Sequence, residues 1–332
     1  MKIWNIPIES LEERYSADWN RWFPREFKKL NVTYETIYGE ELTSKIEQGA
    51  FLDVVGTNYF KASQIQKICQ KIYSGEVKNG DVFLFHDLWF PGLESLAYIR
   101  DALDLDFKIT GLLHAGTWDS QDFLSHKGME KWARSLETSW FQFIDAVFVA
   151  TEFHQDLIRK KRKGRCPIYV TGFPIYDEHS DSKVKKENII VFPHRLDSEK
   201  QPEEFDELEN LFQFLVAGSG KWKFVKSKEV TSTKEEYYDL LNRSKIAVSC
   251  ALQETWGIAM QEAVLAGCVP FVPDRLSYKE LYPGLFRYEN LEDLVIRMEM
   301  CIKSELKYPL VSSIKDSGEN AIPDMVSIIE EL

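Results

Sequence analysis

Residues 245–273, KIAVSCALQETWGIAMQEAVLAGCVPFVP, read as strand, loop, helix, glycine and strand. KIAVSC and CVPFVP are short β-branched runs, and GIAMQEAVLAG between them has helical spacing closed by Gly267. A strand that returns through a helix to another strand is the unit of a parallel sheet. The same alternation fills the rest of the chain. KIWNI, VTYETIY, FLDVVG, DVFLFH, FKITGLLH, DAVFVA and IYVTG are strand candidates in the first half, and NIIVFP, FQFLVAG and KWKFV join the opening pair in the second. Between the two sets, residues 174–188 (PIYDEHSDSKVKKEN) are polar and lack apolar periodicity, as a linker would. At 332 residues the chain exceeds what one core usually serves. Two α/β domains are expected, residues 1–174 and 175–332, the second ending in helices at LEDLVIRMEMCIKSEL and DMVSIIEEL.

Composition narrows the class. Hydrophobic residues at 44% and charged residues at 28% are globular values, and no apolar run is long enough to span a bilayer. The start, MKIWNIPIESLEERYS, has no apolar export region, so a cytoplasmic protein is expected, in a host cytoplasm if the chain is phage-encoded. The five cysteines are scattered without CxxC spacing, which argues against a zinc site or disulfide framework. A net charge of −12 argues against a protein that coats nucleic acid. One basic run, RKKRKGR at residues 159–165, reads first as a solvated helix end.

In a parallel sheet, ligands sit at the carboxyl ends of strands. After KIAVSC, Glu254 lies on the loop and Glu262 about a turn and a half into the following helix. A helix start presents unpaired N–H groups that seat a phosphate, and Gly257 lets a ligand approach the backbone. Carboxylates suit sugar hydroxyls, so one on each side of a phosphate seat suggests a nucleoside diphosphate sugar. After NIIVF, Arg195 and Lys200 stand five residues apart on a turn, and two cations there can neutralise a diphosphate without a metal. The plain alternatives are a capping carboxylate, a solvated helix residue and two surface charges.

HRLDSEK and ETWGIAMQEAVLAGCVPFV together resemble the retaining GT-B glycosyltransferases of family 4, with an Arg-Leu turn, a following Lys and E-x7-E before A-x-x-x-G-x-P-V. FQFLVAGSG resembles that family's strand and glycine turn, and DVFLFHD, FKITGLLHAGT and DAVFVATEFHQDLI resemble its N-terminal domain. The resemblance covers most of residues 81–275. It implies a GT-B fold, two Rossmann-like domains with parallel sheets facing a central cleft. It further implies that Arg195 and Lys200 bind the diphosphate, that Glu262 binds the ribose, that Glu254 takes the sugar hydroxyls, and that the amides of Trp256, Gly257 and Ile258 complete the phosphate site. His194 and Gln201 replace family glycines, and the N-terminal glycine-rich loop is absent.

His114, ending FKITGLLH, would face the donor sugar by the same resemblance, although a lone histidine at a strand end is as often structural. His86, Asp87, Trp89, Trp118 and Asp119 follow neighbouring strand ends, the tryptophans as stacking faces or as packing. ERYSADWNRWFPREFKK mixes Arg14, Arg21 and Arg25 with Trp19 and Trp22, and reads as an amphipathic helix with its aromatics inward. The stretch also resembles the start of phage enzymes that glycosylate hydroxymethylated pyrimidines in DNA. GSGKW (residues 218–222) lacks the pattern of a P-loop, and DLD (residues 104–106) precedes a strand where a metal motif would end one.

The expected protein is a glycosyltransferase that moves a sugar from a nucleoside diphosphate sugar, a UDP-sugar first among them, to an acceptor hydroxyl with retention and without a metal. The acceptor is a hydroxymethylated pyrimidine in DNA or, in the alternative, a saccharide, tRNA or a small molecule. A GT-B sugar-nucleotide epimerase, a phosphorylase and a non-catalytic nucleotide-sugar binding protein are the rival readings.

Overall fold

The computed structural model describes residues 1–10, 15–42, 53–216, 221–304 and 310–332. The chain divides into two compact units, Met1–Pro174 with Asn320–Leu332, and Ile175–Glu319. The division departs from a chain read straight through to its end, because the last residues group with the first unit. The long final helix Leu310–Glu330 carries Ala321, Ile322, Met325, Val326 and Ile329 as a buried face at helical spacing.

In the first unit β1 (Ile3–Ile6), α1 (Tyr15–Lys29), β2 (Tyr34–Thr36), α2 (Val54–Tyr73), β3 (Val82–Phe85), α3 (Leu93–Ala102) and β4 (Lys108–Leu112) alternate. They are followed by α4 (Phe123–His126), α5 (Glu130–Phe143), β5 (Ala146–Val149), α6 (Glu152–Lys161) and β6 (Ile168–Val170). The sheet runs β2-β1-β3-β4-β5-β6 and every pairing is parallel. All four residues of β3 and of β5 are buried, as strands covered on both faces must be.

The second unit runs β7 (Glu187–Phe192), α7 (Pro202–Leu215), β8 (Lys223–Lys226), α8 (Ser227–Val230), α9 (Lys234–Arg243) and β9 (Ser244–Val248). Then come α10 (Ile258–Leu265), β10 (Val269–Pro273), α11 (Tyr278–Leu281), β11 (Arg287–Tyr288), α12 (Leu291–Ser304) and the start of α13, the final helix, which from Asn320 on groups with the first unit. Its parallel sheet has the order β11-β10-β9-β7-β8.

Two expected strands are helices instead. FLDVVG loses to a cap: the Asp53 carboxylate accepts from the amides of Val55 and Gly56 at 3.1 and 2.9 Å, which starts α2 at Val54 despite the β-branched pair. FQFL closes α7, where Pro202 occupies the first turn and Phe205, Leu208 and Phe212 are buried at helical spacing. The remainder of that candidate strand and the glycines of GSGKW fall at residues 217–220, outside the described residues. The aromatics of α1 turn inward: Trp19, Trp22 and Phe23 are buried, Arg21 pairs with Asp18 and Arg25 with Glu26. Arg14 is outside the described residues.

Candidate functional site

β7 pairs with β8 on one side and β9 on the other, so the chain leaves β7 in one direction and returns across it in the other. The carboxyl ends of β7 and β9 therefore flank the switch point of the second sheet, the place where ligands bind in open α/β sheets. Arg195, Lys200 and Glu254 all lie on the two loops that leave those ends. The loops are joined there. Leu252 N donates to Glu199 O at 2.8 Å, and the Lys200 ammonium donates to Gln253 O at 2.6 Å and to Glu254 Oε2 at 3.2 Å.

Glu254 is the centre of the arrangement. Its Oε1 accepts from Gly257 N at 2.9 Å, Thr255 N at 3.2 Å and Trp256 N at 3.4 Å, so the carboxylate caps the turn that enters α10. Burial pushes this carboxyl up, but Lys200, His194 and the Gly257 amide outweigh it and hold it below the ordinary range. Gly257 has φ +76°, and a Cβ there would stand 3.3 Å from the Tyr278 ring and 3.5 Å from Glu254 Cγ. The left-handed backbone is what favours glycine here, and the Tyr278 ring leaves a side chain little room. The first intrahelical bond is Gln261 N to Gly257 O, so the amides of residues 258–260 precede it, the positions at which a helix start offers donors. Trp256 is buried and Ile258 half-buried.

The cations are placed differently. Lys200 is buried, whereas Arg195 is about one-third exposed and reaches Asp197 at 2.6 Å and Glu199 at 3.2 Å. Gln201, after Lys200, takes φ +56°, a left-handed conformation that a glycine would adopt without strain. His194 is buried beside Phe192, and its Nε2 has no hydrogen-bond partner among the described residues. Burial, with Lys200 and Arg195 adding to it, pushes this imidazole down to about 3.

Glu262 stands apart from Glu254, about 6 Å along α10 from the helix start. It accepts from Tyr238 at 2.7 Å and Tyr237 at 3.0 Å, both on α9. Burial, with the Glu262 charge adding to it, pushes the Tyr237 hydroxyl far above its usual range. These tyrosines escaped the sequence reading, since EEYYDLL shows only a helix with aromatic residues. His194 was legible only as a departure from glycine.

His114 belongs to the first unit. Its Nε2 donates to His86 O at 2.8 Å, and Tyr15, Trp19 and Phe173 pack round the ring. Burial pushes its pKa down, against the pull of Asp87. His86 is itself bound to Asn5 Oδ1 at 2.7 Å, and Asp87 is paired with Lys61 at 2.8 Å. Trp118 is buried against His154 and Phe141 and serves packing, while the half-buried Trp89 donates to Glu137 at 3.1 Å. Asp119 accepts from Gln121 N in a turn. Asp106, in DLD, is exposed and pairs with Lys108. The solvated reading of residues 159–165 fails at one position: Arg162 is buried and bonded to the buried Glu137 at 2.6 Å.

No family profile matches the chain. In an alignment that takes in 38% of the chain and 41% of the relative, the chain is 26% identical to a Drosophila melanogaster protein described as a tRNA-queuosine alpha-mannosyltransferase. Solved structures resemble it over nearly the whole length. They include a sucrose-phosphate synthase of Thermosynechococcus elongatus (TM-score 0.65, 9% identity, 99% of this chain and 96% of that one). A UDP-forming α,α-trehalose-phosphate synthase of Burkholderia vietnamiensis gives 0.63 at 12% identity, covering 100% and 98%. Anabaena HepE, solved with UDP and glucose, gives 0.61 at 12% identity and covers both chains fully. The fold is that of the GT-B glycosyltransferases, α/β with two parallel sheets.

Proposed function

We propose that the protein is a glycosyltransferase that transfers a sugar from a nucleoside diphosphate to an acceptor hydroxyl. The observation that carries the reading is the Lys200–Glu254 pair at the sheet's switch point, directly before the start of α10. A sugar nucleotide brings a partner for each group: its diphosphate suits Lys200, Arg195 and the helix amides, and its sugar hydroxyls suit Glu254. Binding exchanges one partner set for the other, so neither charge is stranded. Glu262, held by Tyr237 and Tyr238, takes the ribose hydroxyls.

In the reaction the bond from the anomeric carbon to the diphosphate oxygen breaks. A bond to the acceptor oxygen forms on the same face, and the acceptor's proton passes to the leaving phosphate. Arg195, Lys200 and the positive end of α10 stabilise the charge that develops there, the part a metal plays elsewhere. Uridine is the nucleoside proposed, in keeping with the UDP bound by HepE. For the acceptor, the likeness to a mannosyltransferase acting on tRNA favours a hydroxyl of an RNA nucleoside over a pyrimidine of DNA.

Thermal unfolding against a panel of nucleoside diphosphates and their sugars tests the reading. A ligand at 100 times its Kd adds about 2.7 kcal/mol. Stabilisation by a UDP-sugar, lost in Arg195→Ala/Lys200→Ala, is expected. No response to any sugar nucleotide at millimolar concentration would end the proposal.

A further inference from the structure

The basic run that closes α6 and continues past it is a built surface. Arg162 is its only buried cation: it turns inward and bonds Glu137 with Nε at 2.9 Å and Nη2 at 2.6 Å. Gly164 lies so close to α5 that a Cβ would stand 2.3 Å from Phe141 Cβ. The amides of Arg165 and Cys166 both donate to Phe141 O, and the Gln142 side chain donates to Lys163 O at 3.1 Å. Five cations are left facing solvent from this clamped backbone: Arg159, Lys160, Lys161, Lys163 and Arg165. Lys160 approaches Asp156 at 3.6 Å with both side chains largely exposed, and the other four make no ion pair among the described residues.

A helix end accounts for part of this. Arg159, Lys160 and Lys161 complement the negative end of α6, an effect confined to the last turn. Lys163 and Arg165 lie beyond the helix and gain nothing from it. In a chain of net charge −12, five exposed cations within seven residues, four of them without an ion pair among the described residues, stand as a local exception.

We infer that this strip docks the phosphate backbone of a folded RNA acceptor, an inference that rests on the proposed transfer to an RNA nucleoside. The strip lies at the far end of α6, about 15 Å along the helix from the carboxyl edge of its sheet. A small acceptor seated at that edge cannot touch it, whereas a folded RNA extends far enough to do so. The cations hold the RNA by charge, and the sequence is read elsewhere.

Binding of labelled bulk tRNA to the full chain at several salt concentrations tests the inference. Each neutralised phosphate contributes about 0.7 to 0.9 to the slope of log K against log salt. Replacing all five cations by serine should lower that slope by roughly 4 and weaken binding on the order of a hundredfold at low salt. Lys163→Ser/Arg165→Ser alone, which leaves α6 untouched, should lower it by roughly 1.5. If the fivefold variant does not fold, the double variant decides. An unchanged slope in the folded variants overturns the inference. So does duplex DNA of equal length bound as tightly and with the same dependence on the strip. The nucleotide-sugar melting shift is read in parallel: variants that keep it while losing RNA support the strip, and its absence from the unaltered protein defeats the donor reading separately.

Discussion

Each unit contains a buried pair of opposite charges, and the two pairs are built to different ends. Glu137 is fully buried in the first unit. It receives two bonds from Arg162, one each from the Thr117 amide and hydroxyl, and one from Trp89. Every donor comes from a loop or helix end that the carboxylate thereby fixes, and no water is needed. Glu254 in the second unit shares its charge among three amides of its own turn and one ammonium, and it stays partly exposed at the carboxyl end of a sheet. The first pair is closed in every direction. The second lies at a strand end with its carboxylate partly exposed, where the proposed donor would meet both charges. Each carboxylate has three donors besides its cation, so what separates the lock from the placeholder is exposure: Arg162 and Glu137 are closed off from solvent, and Glu254 is not.

The sharpest break comes from Arg162→Met. It strands the Glu137 charge in the interior and should destabilise the protein by about 3–5 kcal/mol, read as a fall in chemical denaturation midpoint. A loss near that of a surface arginine would show that the pair is not the lock described.

Lys200→Ala is the counterpart in the placeholder. Glu254, unlike Glu137, is partly exposed to water, so the unfolding midpoint should fall less than for Arg162→Met, while sugar transfer should slow on the order of 10²- to 10³-fold. Transfer at the unaltered rate would remove Lys200 from the diphosphate site.

Acid separates the units further. His86 and His154 in the first and His194 in the second are each pushed by burial from 6.5 to about 3. As pH falls below 6.5 the unfolded chain takes up these protons and the folded chain does not. Stability is therefore lost between about pH 6.5 and 3, by up to about 1.4 kcal/mol per pH unit for each imidazole. His194→Gln should flatten the pH dependence of stability between pH 7 and 5 by one such share. An unchanged profile would mean that His194 takes up its proton over the same pH range in the fold as in the unfolded chain.

The smallest effect is expected at Gln201. Glycine in its place relieves the left-handed backbone and should raise stability by up to about 1 kcal/mol, with transfer unaltered. A loss of transfer would show that the Gln201 side chain takes part in the site.

How much of this was legible depended on the range of the interactions. The parallel α/β class was visible in the alternation of β-branched runs with helical spacing, because a strand buried on both faces must be apolar throughout. The misread strands, FLDVVG and FQFL, were decided by Asp53 and Pro202, short-range capping signals that outweighed apolar content. The loop positions of Arg195, Lys200 and Glu254 followed from strand ends. Their bonds did not, because Lys200 and Glu254 are separated by more than fifty residues and meet only through the order β9-β7-β8.

The sequence by itself determined the parallel α/β alternation and which residues stand after strands, both of which depend on periodicity and local backbone preference. The tertiary structure alone decided that Arg162 turns inward while its neighbours face water, that two tyrosines of α9 hold Glu262, and that Glu254 already holds Lys200. Those outcomes depend on which distant groups a buried charge can reach, and a buried charge is stable only where packing has brought its partners to it.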